Sequence, residues 1–286
     1  MNKKLTTLAV AGALATPMFA MAADEPAAAS EHTLTGNLGL VSSYRFRGID
    51  QTFGKPALQG GVDYSHSSGL YAGNWNSNVS SGAGFPDGNL EMDFYGGYKT
   101  NIGDVGLDVG AILYYYPGSE GRNLGTKADS GAVTNKEIYL GVSWNIFTAK
   151  YYYSMDDYFS LRGWDNTGAS TGKSTKGTGY FDLAAAYDLG NGWGVNGHVG
   201  YLSAKNMKNA SYTDWKIGVS KDVGGWLVGL AYIGTNAEGD CTGATKYQPY
   251  CFANSLSDNP GVGLNFGSKT KDAGRSIAVL SVTKSF

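Results

Sequence analysis

Residues 89–115, NLEMDFYGGYKTNIGDVGLDVGAILYY, decide the fold class. Apolar and polar residues alternate along the first half, so that Leu90 and Phe94 share one face and Glu91 lies on the other. Successive side chains of a β-strand point to opposite faces, and a period of two therefore predicts a strand with one apolar and one polar face. Residues 101–103, Asn-Ile-Gly, then predict a tight turn into a second strand.

The same alternation recurs along the rest of the chain, and helical spacing fits none of the segments. The connections between segments are alternately short and long. The short ones fall at 66–68, 101–103, 145–146, 190–192 and 223–224, and the long ones at 46–54, 79–88, 116–135, 156–178, 204–210 and 235–275. A meander in which every second connection is tight gathers its long loops at one end, which is typical of outer-membrane barrels.

We therefore predict an all-β fold, a single transmembrane antiparallel up-and-down β-barrel of twelve strands. If one of the long loops contains a further pair of strands, or one pair of the expected strands is a loop, the barrel has fourteen or ten strands. An even number of strands places both termini on the periplasmic side. The expected strands span 34–45, 55–65, 69–78, 89–100, 104–115, 136–144, 147–155, 179–189, 193–203, 211–222, 225–234 and 276–286.

Aromatic residues at the ends of the apolar faces indicate a membrane setting, because aromatic belts flank the apolar band of such barrels. The expected periplasmic girdle comprises Tyr64, Tyr98, Trp144, Phe147, Trp193 and Trp226. The expected outer belt comprises Tyr44, Trp75, Tyr153, Phe181, Tyr201, Trp215 and Tyr232. A soluble β-sandwich also alternates, but it has no reason to place aromatic residues at both rims.

The chain begins with the three parts of a signal peptide. Lys3 and Lys4 precede an apolar stretch, and the small-residue frame Ala20-Met21-Ala22 predicts cleavage before Ala23. We expect a cleaved signal peptide at 1–22, a short periplasmic segment at 23–32 and the barrel at 33–286. This organisation predicts export through the periplasm to the outer membrane of a Gram-negative cell.

Charge and composition exclude several classes of protein. Cleavage removes two lysines and leaves 20 basic residues against 24 acidic ones, so that no basic surface exists for nucleic acid. No stretch of the mature chain holds 18 consecutive apolar residues, as a membrane-spanning helix would need. Cys241 and Cys251 lie in the longest loop, where an oxidising compartment favours a disulfide over a zinc site without a nearby histidine. We expect no cofactor and no metal.

Two parts of the sequence resemble known outer-membrane proteins. The runs at 34–37, 41–49, 55–61 and 69–75 resemble the TorF porin family, over about a quarter of the mature chain. That resemblance implies a porin but transfers no functional residues. The C-terminal strand ends in Phe286 and resembles the signal read by the barrel assembly machinery, although Lys284 departs from the usual apolar residue.

A twelve-stranded barrel has a backbone diameter of about 24 Å, which leaves a path of roughly 10–12 Å between inward side chains. Small hydrophilic solutes or ions fit such a path. Eight acidic and five basic residues fall on the inward face with one histidine, which predicts a weak cation preference; many of them are equally suited to bracing the wall by salt bridges. The expected pore-lining residues are Arg45, Arg47, Asp63, Glu91, Asp93, Lys99, Asp108, Glu137, Lys150, Asp182, Asp188, His198, Asp214 and Lys216.

Arg45 and Arg47 flank the first long loop, and they are expected either to bind an anionic group of a solute or to pin the loop to Asp63. The alternative function is a closed barrel that acts as an adhesin or receptor through its long loops. Catalysis is not expected, because none of His32, His66 and His198 is placed to activate a serine on the lipid face. The expected partners are outer-membrane lipid, the barrel assembly machinery and small solutes, with the protein a monomer.

Overall fold

The computed structural model of the protein describes residues 30–121, 131–242, 246–255, 258–259, 263–264 and 269–286. The expected signal peptide, 1–22, lies outside the described residues, as does most of the expected periplasmic segment. Over the described part of the chain the structure is made of strands with short 3-10 turns at Ser81–Ala83 and Tyr158–Ser160. No helix within these ranges is long and apolar enough to cross a membrane.

Twelve strands form one closed antiparallel barrel. Each pairs with its neighbours in the chain, and β1 closes the sheet against β12 with Asn37 opposite Ser285. The predicted all-β fold and its twelve strands are confirmed. The strands are β1 His32–Val41, β2 Ala57–His66, β3 Leu70–Asn78, β4 Leu90–Ile102, β5 Val105–Tyr115, β6 Thr134–Trp144, β7 Phe147–Ser154, β8 Gly179–Gly190, β9 Trp193–Ser203, β10 Tyr212–Val223, β11 Trp226–Thr235 and β12 Ile277–Ser285.

The connections divide between the two ends of the barrel as the sequence predicts. Tight turns join β2–β3, β4–β5, β6–β7, β8–β9 and β10–β11. The long loops at the other end are L1 (42–56), L2 (79–89), L3 (116–133), L4 (155–178), L5 (204–211) and L6 (236–276). Strand β1 ends at Val41, four residues before its expected end, because the chain there turns into the barrel. The disulfide predicted between Cys241 and Cys251 is present in L6.

The outer face of the barrel is apolar and exposed. Leu34, Val109 and Ile217 are each more than half exposed, which suits side chains that contact lipid instead of water. The six residues of the expected periplasmic girdle also point outward, with exposures between 37% and 57%. This exterior is the band that a bilayer requires.

The predicted lipid-facing position is wrong for two aromatic residues. Tyr44 and Trp75, expected in the outer lipid-facing belt, are 1% and 7% exposed and lie inside the barrel. Trp75 has the same parity as Tyr71 in β3, and this parity faces the lumen. Tyr44 lies beyond the end of β1, where alternation no longer fixes the direction of a side chain.

Candidate functional site in the barrel lumen

Loop L1 folds into the barrel as a small β-hairpin. Arg45 and Phe46 pair with Asp50 and Ile49, so that Arg47 and Gly48 form the tip. Both tip residues have positive φ, 48° for Arg47 and 78° for Gly48. A two-residue hairpin turn of type I′ requires this conformation at both central positions. We call this element, residues 45–50, the lumen hairpin.

Arg47 anchors the lumen hairpin to the opposite side of the barrel. Its guanidinium donates to both carboxylate oxygens of Glu137 on β6, at 3.1 and 2.7 Å. It also lies over the rings of Tyr152 on β7 and Tyr180 on β8, at 5.1 and 4.3 Å. L1 connects β1 and β2, and β6 to β8 are the strands across the barrel from them. The hairpin therefore crosses the lumen.

The ion pair of Arg47 and Glu137 is buried, with side-chain exposures of 6% and 1%. Burial alone would lower the pKa of Arg47, but Glu137, together with Tyr158 and Tyr114, outweighs that effect and raises the pKa well above its usual value. Glu137 also accepts hydrogen bonds from Asn135, Tyr114 and Ser154. A buried pair of this kind needs such extra bonds, because each charge loses its hydration.

The second tip residue, Gly48, lies against the strands next to the closure seam. A Cβ atom at this position would approach Cβ of Asp214 to 2.8 Å and would collide with the Thr235 side chain. Tyr212 donates a hydrogen bond to the carbonyl oxygen of Arg47 at 2.9 Å. The tip is thus held between β6 on one side and β10 and β11 on the other.

Arg45 secures the base of the lumen hairpin. It donates to the carbonyl oxygens of Ala273 at 2.8 Å and Gly48 at 3.3 Å, and its guanidinium lies 3.6 Å from Asp50. Burial lowers the pKa of Arg45 to about 10, although Asp50 acts in the opposite direction. Asp50 also pairs with Arg275 at 3.0 Å. These contacts tie L1 to the last part of L6.

The expectation that Arg45 or Arg47 pins the loop to Asp63 is wrong. Asp63 instead accepts a hydrogen bond from Tyr95, on the inner face below the hairpin. Both arginines do pair with carboxylates, but with Asp50 and Glu137 instead of Asp63. No local sequence pattern shows how far L1 reaches into the barrel.

Aromatic rings from four loops and the upper strands fill the space around the lumen hairpin. Phe85 of L2 stacks on Tyr116 of L3 at 3.7 Å, and Phe46 contacts the edges of Tyr114 and Phe159. Tyr44 packs against Trp75. Phe46, Phe85 and Phe159 could not be predicted to lie in the lumen, because the sequence of a loop does not show which way its side chains point.

Two carboxylates beside this aromatic cluster lack a compensating charge. Glu91 and Asp93 on β4 are fully buried. Glu91 accepts a hydrogen bond from Tyr44 at 3.2 Å, but its Oε2 has no partner. Neither carboxylate oxygen of Asp93 has a hydrogen-bond partner. Burying a carboxylate in this way is costly, and such groups deserve a functional explanation.

The middle of the lumen is braced by ion pairs and tyrosine hydroxyls. Lys150 pairs with Asp108 at 2.8 Å and lies over the ring of Tyr139. Tyr71 donates to the same Asp108 at 2.6 Å. These side chains connect β3, β5, β6 and β7, so that this part of the expected pore lining forms part of a rigid wall.

A second braced group lies on β8 to β10. Nδ1 of His198 is 2.8 Å from Asp182, and Nε2 is 3.6 Å from Asp214. Tyr180 donates to Asp214 at 3.0 Å. Of the remaining expected residues, Lys99 lies over the ring of Tyr71 and Lys216 borders the cavity described next. Asp188 lies exposed near the periplasmic rim and accepts the Gly190 amide.

A cavity of about 150 Å³ remains beside the lumen hairpin. It follows the inner faces of β9 to β12, β1 and β2, where most lining side chains are small or neutral and His198 and Lys216 are the exceptions. Its lining there includes Asn37, Gln59, Asn196, Ala231, Ser281 and Thr283. We call the inner faces of β9–β12, β1 and β2 the small-residue wall, and the inner faces of β3–β8 the aromatic wall.

Among the described residues, one group of three side chains could hold a metal ion: Glu31, His32 and His66, which lie outside the lumen at the tight-turn end of the barrel. The lumen itself offers hydroxyls, amides and paired charges.

Comparison with solved structures returns outer-membrane barrels. A NanC porin has 10% sequence identity and a TM-score of 0.48, covering 88% of this chain and 98% of that one. A KdgM porin has 8% identity and a TM-score of 0.47, covering 88% and 99%. OmpT of Vibrio cholerae has 10% identity and a TM-score of 0.40, covering 92% and 100%. No curated protein matches the chain significantly.

The sequence itself matches a family model along most of its length. The model is described as a bacterial protein of unknown function, Gcw_chp, and it matches residues 25–256. This name differs from that of the TorF family suggested by the motifs of the first strands. The chain belongs to the Gcw_chp family.

Proposed function

We propose that the protein is an outer-membrane channel for small hydrophilic solutes or ions, with the lumen hairpin as its constriction. The observation that carries the proposal is the placement of Arg47, whose guanidinium reaches across the barrel to Glu137. A twelve-stranded barrel is too wide for wall side chains alone to fill. The hairpin fills part of the lumen that the wall side chains leave open, and side-chain contacts at its tip join it to the barrel wall.

The polar lining supports passage of hydrated solutes. Below the hairpin, the lumen presents Asp63, Asp108, Lys99, Lys150 and Lys216, together with the amides of the small-residue wall. We infer a weak cation preference from the excess of acidic residues on the inner face, since rings of charge select ions in pores.

Single-channel conductance in a planar bilayer under a salt gradient tests this proposal. We expect small conductance steps from the wild type and larger steps from Arg47→Ala, with a reversal potential that favours cations in both. A reversal potential that favours anions would support the channel proposal and show that the inferred cation preference is wrong.

A closed barrel that binds partners through its loops is the second candidate. The aromatic packing of Phe85, Tyr116 and Phe159 favours it, because these rings fill the extracellular mouth. The test is the same bilayer recording, made with protein that migrates on gels as a folded heat-modifiable barrel. If neither the wild type nor Arg47→Ala conducts, the closed barrel is favoured and the channel proposal is wrong.

We propose export after removal of residues 1–22, assembly by the barrel assembly machinery and function as a monomer. Phe286 supports this proposal, because its amide and carbonyl both pair with Gly36 on β1 and complete the closure seam. Deletion of Phe286 is expected to reduce the amount of folded protein in the outer membrane, which a heat-modifiability assay would measure.

A further inference from the structure

Two of the three histidines of the chain lie side by side at the periplasmic rim. His32 begins β1 and His66 ends β2, and they are directly opposite each other in the antiparallel register. Both have the outward parity of Leu34 and Tyr64, so that the two imidazoles share one face. Their ring centroids are 5.0 Å apart. Glu31 immediately precedes β1 and joins the pair.

The three side chains have spacing suited to a metal ion. One ligand atom from each lies within 4.8 Å of the others. Nε2 of His66 is already 3.2 Å from a carboxylate oxygen of Glu31. Zinc bonds of about 2.0–2.2 Å place neighbouring tetrahedral ligands roughly 3.4 Å apart. The histidine–glutamate distance therefore matches one edge of a zinc site, and the second histidine needs only a small side-chain rotation.

Neighbouring hydroxyl groups orient the two imidazole rings. Nδ1 of His32 lies 2.8 Å from the Tyr64 hydroxyl, and Nδ1 of His66 lies 2.7 Å from the Ser68 hydroxyl. In one tautomer of His66, Nδ1 accepts the Ser68 amide hydrogen at 3.1 Å and Nε2–H donates to Glu31. In the other, Nδ1–H donates to the Ser68 hydroxyl and frees Nε2. Histidines that bind metals commonly donate their second N–H to such a partner.

We propose that Glu31, His32 and His66 bind one divalent transition-metal ion, with zinc as the reference ion. Two imidazoles and one carboxylate form a donor set that suits zinc, whereas calcium and magnesium prefer oxygen ligands alone. Water completes the coordination. The ion would link the start of β1 to the first periplasmic turn, and the site is independent of the proposed channel. The sequence alone does not indicate a metal site, because His32 and His66 are 34 positions apart and only the strand register brings them together.

Zinc titration of the untagged mature protein in detergent, against a chromophoric chelator, tests the site. We expect one equivalent of zinc to bind to the wild type, and binding at least about tenfold weaker in His32→Ala and in His66→Ala, since each removes a ligand. Glu31→Gln should weaken binding less. His198→Ala is the matched control, because it removes the remaining histidine, which lies in the lumen beside Asp182.

Three results would overturn the proposal: no stoichiometric zinc on the wild type, binding unchanged by both rim variants, or binding lost only in His198→Ala. Heat-modifiable migration on gels confirms that each variant is folded, and all three replaced rim side chains are at least partly exposed. A second measurement adds magnesium in excess, which should not displace the zinc.

Discussion

The two walls of the lumen have a similar backbone but carry different inward side chains. The aromatic wall, β3–β8, carries Trp75, Tyr114, Tyr139 and Tyr152 and receives the tip of the lumen hairpin through Glu137. The small-residue wall, β9–β12 with β1 and β2, presents mostly neutral or short side chains, contacts the hairpin tip at Gly48 and lines the cavity. The comparison indicates that the aromatic wall binds the Arg47 side chain, whereas the small-residue wall leaves room for the proposed path.

The largest effect is expected from breaking the contact between the hairpin and the aromatic wall. Arg47→Ala leaves Glu137 buried without its counter-charge, and breaking a buried pair in this way costs about 3–5 kcal/mol. Because 1.4 kcal/mol is a factor of ten, withdrawal of the hairpin should become at least about a hundredfold more favourable. Single-channel recording should show larger or longer openings than in the wild type.

Two controls separate charge from packing at this contact. Arg47→Lys retains the charge but loses the two-point hydrogen bond, and an intermediate phenotype is expected. The pair Arg47→Met with Glu137→Gln removes both charges and preserves much of the packing, so its openings should resemble those of the wild type. If the double variant conducts like Arg47→Ala, the ion pair is not what holds the hairpin.

The opposite side of the hairpin can be disturbed without changing a charge. Gly48→Val places a branched side chain at a positive φ, which costs about 1–2 kcal/mol before any collision is counted. It also forces the tip away from Asp214 and Thr235 on the small-residue wall. Increased conductance with unchanged ion preference is expected in the same bilayer recordings. Gly118→Val is the control, since this glycine also has positive φ but no heavy atom near its Cβ position.

Asp93 tests the cost of burying a carboxyl group without a hydrogen-bond partner on the aromatic wall. Asp93→Asn replaces a buried carboxylate that has no hydrogen-bond partner with a neutral group of the same shape, and it should stabilise the barrel by about 1–3 kcal/mol. The temperature at which the folded form disappears from heat-modifiability gels should rise. A lower unfolding temperature would mean that the Asp93 carboxylate has a stabilising role.

The smallest effect is expected on the small-residue wall. Ala231→Phe fills the cavity beside the hairpin and should reduce conductance in the Arg47→Ala background, with little change in the unfolding temperature. Leu230→Phe is the matched control, since Leu230 is the next residue on β11 and is half exposed on the lipid face. Equal conductance in the two variants would place the path elsewhere in the lumen.

Much of the barrel was predictable from local pattern. The alternation of Leu90, Glu91 and Phe94 fixes which side chains face lipid, because a strand has no other periodicity to offer. Alternating short and long connections fix the topology, since a tight turn joins only adjacent antiparallel strands. The close spacing of Cys241 and Cys251 also indicated their disulfide.

The direction of the loops was decided by tertiary structure alone. Arg47 and Glu137 are 90 positions apart, and their contact depends on how far L1 reaches across a closed barrel. Tyr44 lies beyond the end of β1, so the packed hairpin determines which side of the wall it occupies, whereas the parity of β3 directs Trp75 into the lumen. The histidine pair at the rim likewise depends on a register that pairs His32 with His66. Sequence alone therefore determined the strands, their faces and their order, because these follow from local stereochemistry. Tertiary structure decided the constriction and the rim site, because both are contacts between residues that only barrel closure and strand pairing bring together.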